Sequence, residues 1–256
     1  SLGLILGADA IGISGTVAMM IAFFINAAWW VVVTLPLLRN YQQKYYVEAG
    51  GTDVRGIFSR LGKVFAEIRD DKKVLWFLAA FFFYIDGVHT VIKMSTSYGT
   101  DLGIDSTQLV LALLVTQFVA FPSAIAYGRL AKRFGTRHML MVGVFAYFCI
   151  VMFAAFFLKS ATEFWILAIC VGLFQGGIQA LSRSEYGKLI PKNKSNEYYG
   201  FFDIFGKYAA VMGTFLVSVF TQITGNASFG VLSIAVLFIV GFCFLCAMPK
   251  KSDRSK

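Results

Sequence analysis

The amino-acid sequence predicts an all-α membrane protein with seven transmembrane helices, on three observations. Of 256 residues, 58% are apolar and 14% charged, where a soluble domain carries about 25% charged residues. Charge-free stretches run from Ala10 to Leu38, Ser106 to Gly128, Met139 to Leu158, Phe164 to Ser182 and Tyr208 to Pro249. Each can cross a hydrocarbon core of about 30 Å, which takes about 20 helical residues. Finally, 20 of the 23 Lys and Arg fall in four blocks, Arg39 to Lys73, Arg129 to Arg137, Arg183 to Lys194 and Lys250 to Lys256. These blocks alternate with loops that hold only Lys159, so the positive-inside rule puts the blocks in the cytoplasm. The composition excludes a soluble enzyme, a secreted disulfide scaffold and a disordered binder. The net charge of +9 follows the membrane loops, so nucleic acid is not an expected partner.

Strict alternation gives spans at Gly15–Leu38, Val74–Met94, Thr107–Tyr127, Met139–Leu158, Phe164–Ser182, Gly200–Gln222 and Ala227–Met248. The first span starts outside, so Ser1 to Ala8 reads as the outer end of an earlier helix and the chain as a fragment. Residues 1–38 then close one helical bundle, 39–73 form a cytoplasmic linker, 74–248 a six-helix bundle and 249–256 a cytoplasmic tail. Trp76 and Trp165 lie near interfaces, where indole rings are favoured. Pro122 interrupts the third span, removing a backbone donor and kinking it; either a moving or a static helix accommodates this. Within the linker, Ile57, Phe58, Leu61, Val64, Phe65 and Ile68 recur at helical spacing, with Arg55, Arg60, Lys63 and Arg69 on the remaining surface. Such a helix lies along an anionic leaflet or packs as a connector, and the two readings are compatible.

Charged and amide groups inside a span face a partner or a wet cavity. Asp86, His89 and Lys93 form one stripe on the second span, spaced by three and four. Asp86 lies roughly 20 Å into the membrane at about 1.5 Å per residue, too deep for a carboxylate to reach water. The stripe reads as a substrate or proton-coupling site, or as an internal salt bridge holding helices in register. Gln175 and Gln179, one turn apart on the fifth span, line a cavity or hydrogen-bond between helices; Gln117 on the third is another polar candidate. Gly172, Gly176 and Gly177 smooth one face of the fifth span for close packing. Asp203 and Lys207, one turn apart, form a local pair or, with Arg183, an inner gate. Neither a metal nor a cofactor is expected. Cys243 and Cys246 lack the further ligands a metal site needs, and no span carries paired Asp, a Ser–His pair or an HExxH site.

One helix, a long connector and six closely spaced helices resemble the second half of a twelve-helix major facilitator superfamily transporter. The segment Gly128-Arg-Leu-Ala-Lys-Arg-Phe-Gly-Thr-Arg137 resembles the superfamily's loop motif at Gly128, Leu130, Ala131, Arg133, Gly135 and Arg137, with Lys132 in place of the usual Asp. Glycines permit a tight turn there, and cations can meet helix C-terminal carbonyls. A narrower resemblance, to the vacuole-effluxer branch, lies in Gln175 to Pro191 and Glu197 to Lys207; Thr214 stands where that branch has Pro. The resemblance implies that residues 74–248 form the C-terminal bundle of a major facilitator fold. It implies alternating-access transport of a small solute, with proton-coupled efflux or exchange of amino acids as the specific expectation. It also implies a lipid environment, an N-terminal helical bundle as partner, and a bacterial inner membrane, or a vacuolar one in a eukaryote. A non-transporting receptor or assembly subunit has the same hydropathy and uses the polar stripe for packing alone.

Overall fold

A computed structural model describes residues 2–42 and 54–249. The linker residues 43–53 and the tail residues 250–256 lie outside the described residues, as do the side chains of Arg55, Ile57, Phe58 and Arg60. The chain divides into two compact units, Ser1–Gly50 and Gly51–Lys256. In the first, the short helices α1 (Leu2–Leu6) and α2 (Ala8–Ile11) precede α3 (Gly15–Asn40), whose first turn is capped by Ser14. Ala18 and Ala22 are the buried residues of α3.

The second unit contains α4 (Val54–Asp70), α5 (Lys72–Asp101), α6 (Ser106–Phe134), α7 (Thr136–Phe157), α8 (Ala161–Leu189), α9 (Ser195–Tyr208), α10 (Val211–Thr224) and α11 (Ala227–Ala247), with a 3-10 turn at Lys192–Lys194. No strand occurs among the described residues. Among the described residues, seven segments are long and apolar enough to cross a membrane, with α9 and α10 together forming the sixth of them.

Local chemistry starts and stops these helices. Asp71 accepts from the backbone N–H groups of Lys73 and Val74 to start α5, Asp105 caps α6, and Asn226 caps α11 through Ser228. Glu163 closes a capping box on Ser160 at the head of α8, satisfying donors that a helix start leaves free. Several helices outrun their apolar cores. The stretch from Gly128 onward, expected as a loop, is helical as far as Phe134, and Gly135 alone, at φ +87°, makes the connection to α7. Leu, Ala, Lys and Arg favour helix, and Lys132 and Arg133 suit the carbonyl end of α6.

Packing pairs α6 with α8, α5 with α11, and α7 with both α8 and α11. The glycines of α8 permit the first. A side-chain carbon at Gly172 would lie 2.7 Å from the Thr116 carbonyl oxygen, and one at Gly176 would lie 2.6 Å from that of Ala120. Thr116 Oγ1 donates to the Ala168 carbonyl at 3.1 Å across the same seam. Aromatic contacts fill the interior, including Tyr147 on Phe238 and Phe81 on Phe202, at 5.6 and 4.1 Å between ring centroids. Helix α4 joins this unit, burying Val64 and Ile68. Its Glu67 accepts from Lys194 Nζ at 2.5 Å and from Tyr198 Oη at 3.3 Å.

The largest departure from the expected spans is in the sixth. Instead of one helix, Gly200–Gln222, the chain forms α9 and α10 separated by Ala209 and Ala210. Ala210 adopts φ 76°, ψ 1°, the only left-handed non-glycine residue among those described.

Candidate functional site

An open cleft between α5, α8 and α9 gathers five of the nine residues singled out for substrate, coupling or gating roles: His89, Gln179, Arg183, Asp203 and Lys207. Phe81, Ile85, Ser184, Tyr199 and Phe202 line it with them. Three helix faces converge here. His89 extends the α5 face one turn past Ile85, and Gln179 and Arg183 are one turn apart on α8. Asp203 and Lys207 occupy the corresponding face of α9.

The charges are arranged between helices. Arg183 Nη2 donates to Asp203 Oδ1 at 2.6 Å, with both side chains at least half exposed. The Arg183 guanidinium also lies 5.8 Å from the ring centroids of Tyr199 and Phe202, and Tyr199 Oη donates to the Arg183 carbonyl at 3.2 Å. The expected local pair between Asp203 and Lys207 does not form. Asp203 turns to Arg183, and among the described residues Lys207 has no carboxylate within 4.0 Å. One paired cation, one unpaired cation and one carboxylate share a cleft with an imidazole and an amide. Such a set can hold a ligand that carries both a carboxylate and an ammonium, with aromatic faces for its apolar part.

The other predicted residues lie elsewhere. Asp86 does not line the cleft: it is fully buried, and its carboxylate accepts from the backbone N–H of Ala210 at 2.5 Å and of Gly213 at 3.2 Å, with Thr90 Oγ1 at 3.5 Å. The break in the sixth span explains this, because an uncapped helix start presents free N–H donors that attract a carboxylate. No salt bridge to Asp86 is present among the described residues. Lys93 is exposed on α5 outside the cleft. Gln117 and Gln175 border a separate, largely apolar cavity with Ile92, Thr116 and Val171. Gln175 is buried there, and its Oε1 has no hydrogen-bond partner.

In the loop motif, Gly128 lies within α6 with open space beside it, Arg133 sits 5.4 Å from the Phe134 ring centroid, and Gly135 supplies the positive φ of the turn. Arg137 reaches across the unit to the last turn of α11. Its Nη2 donates to the carbonyls of Leu245, Met248 and Cys246 at 2.6, 2.9 and 3.2 Å.

Sequence reasoning missed Phe81, Ser184, Tyr199 and Phe202 as cleft walls, although Tyr198, Phe202 and Phe205 recur at helical spacing beside Asp203. It also missed the break at Ala209 and Ala210, which no proline marks. Glycines at 206 and 213 bracket that break and are its only local signal.

The family model described as vacuole effluxer Atg22 like matches residues 1–256. An uncharacterized MFS-type transporter, YxiO, from Bacillus subtilis (strain 168) is 46% identical over 246 residues, covering 96% of this chain and 57% of that protein. Autophagy-related protein 22 of Cryptococcus neoformans var. neoformans (serotype D, strain JEC21) is 26% identical over 258 residues, 93% of this chain and 45% of its own length. The Saccharomyces cerevisiae (strain S288c) protein of the same name is 26% identical over 194 residues, 72% and 37% of the two chains. The chain thus spans about half the length of the curated relatives it matches. With a match across all its residues and a 46% identical relative, it belongs to the vacuole effluxer Atg22-like family.

Proposed function

We propose that this chain is part of a secondary-active transporter that moves a zwitterionic amino acid by alternating access. A second helical bundle, facing the cleft, would complete its site. The observation that carries the reading is the cleft itself, in which the ion pair of Arg183 and Asp203 stands beside the unpaired Lys207. A substrate carboxylate is matched by Lys207 and Arg183, and a substrate ammonium by Asp203 and the ring faces of Tyr199 and Phe202. The Arg183–Asp203 pair then serves as the gate, since it bridges two helices and a charged ligand competes for both partners. In this reading proton-coupled efflux or exchange draws on His89, which borders the cleft with Arg183, Asp203 and Lys207, and not on Asp86. The names of the relatives, an MFS-type transporter and autophagy-related effluxer-family proteins, support transport as the activity. The basic blocks support a cytoplasmic placement for the ends of α6, α8 and α11.

The test is counterflow of radiolabelled amino acids by the full protein in proteoliposomes. At least one zwitterionic amino acid exchanges, and Arg183→Gln lowers its exchange at least about tenfold, the loss of one charge-assisted contact, with insertion unchanged. A well-inserted, monodisperse protein that exchanges none of them contradicts the reading and leaves a receptor or assembly subunit in its place.

A further inference from the structure

The sixth span breaks where nothing in its own sequence demands it. From Phe205 to Thr214 there is no proline, and alanine at 209 and 210 is the best helix former available. Yet Ala210 takes a left-handed conformation that the β-carbon of an L-residue disfavours. A break also frees the first N–H groups of α10 at the depth of the hydrocarbon core, where no water is at hand to satisfy them. The compensation comes from another helix. The Asp86 carboxylate, supplied by α5 and fully buried, accepts from Ala210 N–H and Gly213 N–H, the cap and third positions of α10. Gly213 fits against Thr90 because a side-chain carbon there would lie 2.8 Å from the Thr90 β-carbon.

We infer that Asp86 is a positioning residue that caps α10 from α5 and thereby fixes the direction of α9, the half-helix carrying Asp203 and Lys207 into the cleft. Among the described residues its side chain makes no hydrogen bond or salt bridge to a cleft residue, and it acts through the backbone break. A carboxylate at a helix start is held by charge as well as by hydrogen bonds, so the cap keeps the bend that a continuous helix would lose. Straightening the span re-aims α9 and separates Asp203 from Arg183, the pair at 2.6 Å. The consequence for solute binding rests on the transport reading given above; the cap itself does not.

Capping and proton carrying make opposite predictions for one substitution. Asparagine accepts from helix-start N–H groups about as well as aspartate, but it cannot titrate. In the full protein in nanodiscs, spin labels at the exposed positions Asn196 on α9 and Gln222 on α10 report the bend as a distance distribution. Asp86→Asn is expected to keep the wild-type distribution and at least about half the wild-type counterflow, since asparagine retains the cap. Asp86→Leu, of similar size and without an acceptor, is expected to shift or broaden the distribution and raise the KM for the exchanged amino acid. Gly213→Ala should shift it in the same way, because its methyl group presses on Thr90, whose hydroxyl also donates to Asp86. It provides the second route if Asp86→Leu does not reach the membrane. A wild-type distribution in Asp86→Leu overturns the inference. So does an Asp86→Asn protein that keeps the distribution but loses uphill exchange, which makes Asp86 a proton carrier. If the wild type itself exchanges nothing, the transport reading fails while the distance measurement still decides the cap.

Discussion

Arg137 shows how one side chain of the loop motif links the ends of two helices. Its guanidinium meets three carbonyls in the last turn of α11, groups that a helix end leaves without partners. Hydrogen bonds from a charged donor to such groups each contribute about 1.5–3 kcal/mol. Arg137→Ala is therefore expected to destabilise the bundle by about 2 kcal/mol, read as a lower thermal midpoint in detergent, with Arg137→Lys intermediate because a lysine reaches fewer carbonyls. An unchanged midpoint in Arg137→Ala would show that water or lipid already serves those carbonyls. Cations in this segment were legible in the sequence, since Gly and Arg recur there in a recognisable order. Their target was not, because Leu245 lies 108 positions from Arg137 in a stretch with no charge to advertise it. For the same reason the sequence suggested Lys207 as the partner of Asp203: spacing favours the neighbour one turn away, whereas tertiary packing brings Arg183 to it from α8.

Among the elements, α8 and α4 carry the clearest consequences. The face of α8 that holds Gly172 and Gly176 lies against the backbone of α6, in the small-residue manner by which membrane helices approach closely. Gly176→Leu would drive its side chain into the Ala120 carbonyl. It is expected to separate α6 from α8 and abolish folding into the membrane, whereas Gly128→Ala, with open space around it, should leave both intact; comparable yields of inserted protein for the two would contradict this packing. Helix α4 is anchored by Glu67, whose carboxyl lies below its ordinary value of 4.5 because Lys194 donates to it. A lowered value means that the charged form is stabilised when α4 is docked. The contribution is complete above 4.5 and is lost as pH falls from there through the lowered value. The pair is partly exposed, so the effect is small and weakened by salt. A spin label at Lys63 should gain mobility as the pH falls below 4.5 through the lowered value, and Glu67→Gln should remove most of that change. The amphipathic pattern of α4 was legible; its docking on α9 was not, because hydrophobic periodicity states that a face is buried and not against what. Nor was the break between α9 and α10, whose cap is 124 residues away.

Across the whole molecule, the seven apolar segments were legible because crossing a membrane is set by length and composition, and neither depends on distant contacts. The cleft was legible only as a set of polar residues in apolar spans. Which of them meet depends on how each helix is rotated about its axis, and that is decided by packing: one turn of α8 is enough to put Gln175 in the apolar cavity and Gln179 in the cleft. The central claim, that the cleft holds the transported solute, is tested most directly by substrate protection. With Cys149, Cys170, Cys243 and Cys246 replaced, a single cysteine at Ser184, exposed on the cleft wall, is treated with a membrane-impermeant thiol reagent in the full protein, with and without a saturating mixture of the amino acids. The cysteine is expected to react and the mixture to slow the reaction severalfold, while a control cysteine at Gln222, outside the cleft, reacts equally in both cases. Unprotected labelling at Ser184, under conditions in which the same protein exchanges amino acids, would place the solute elsewhere and contradict it.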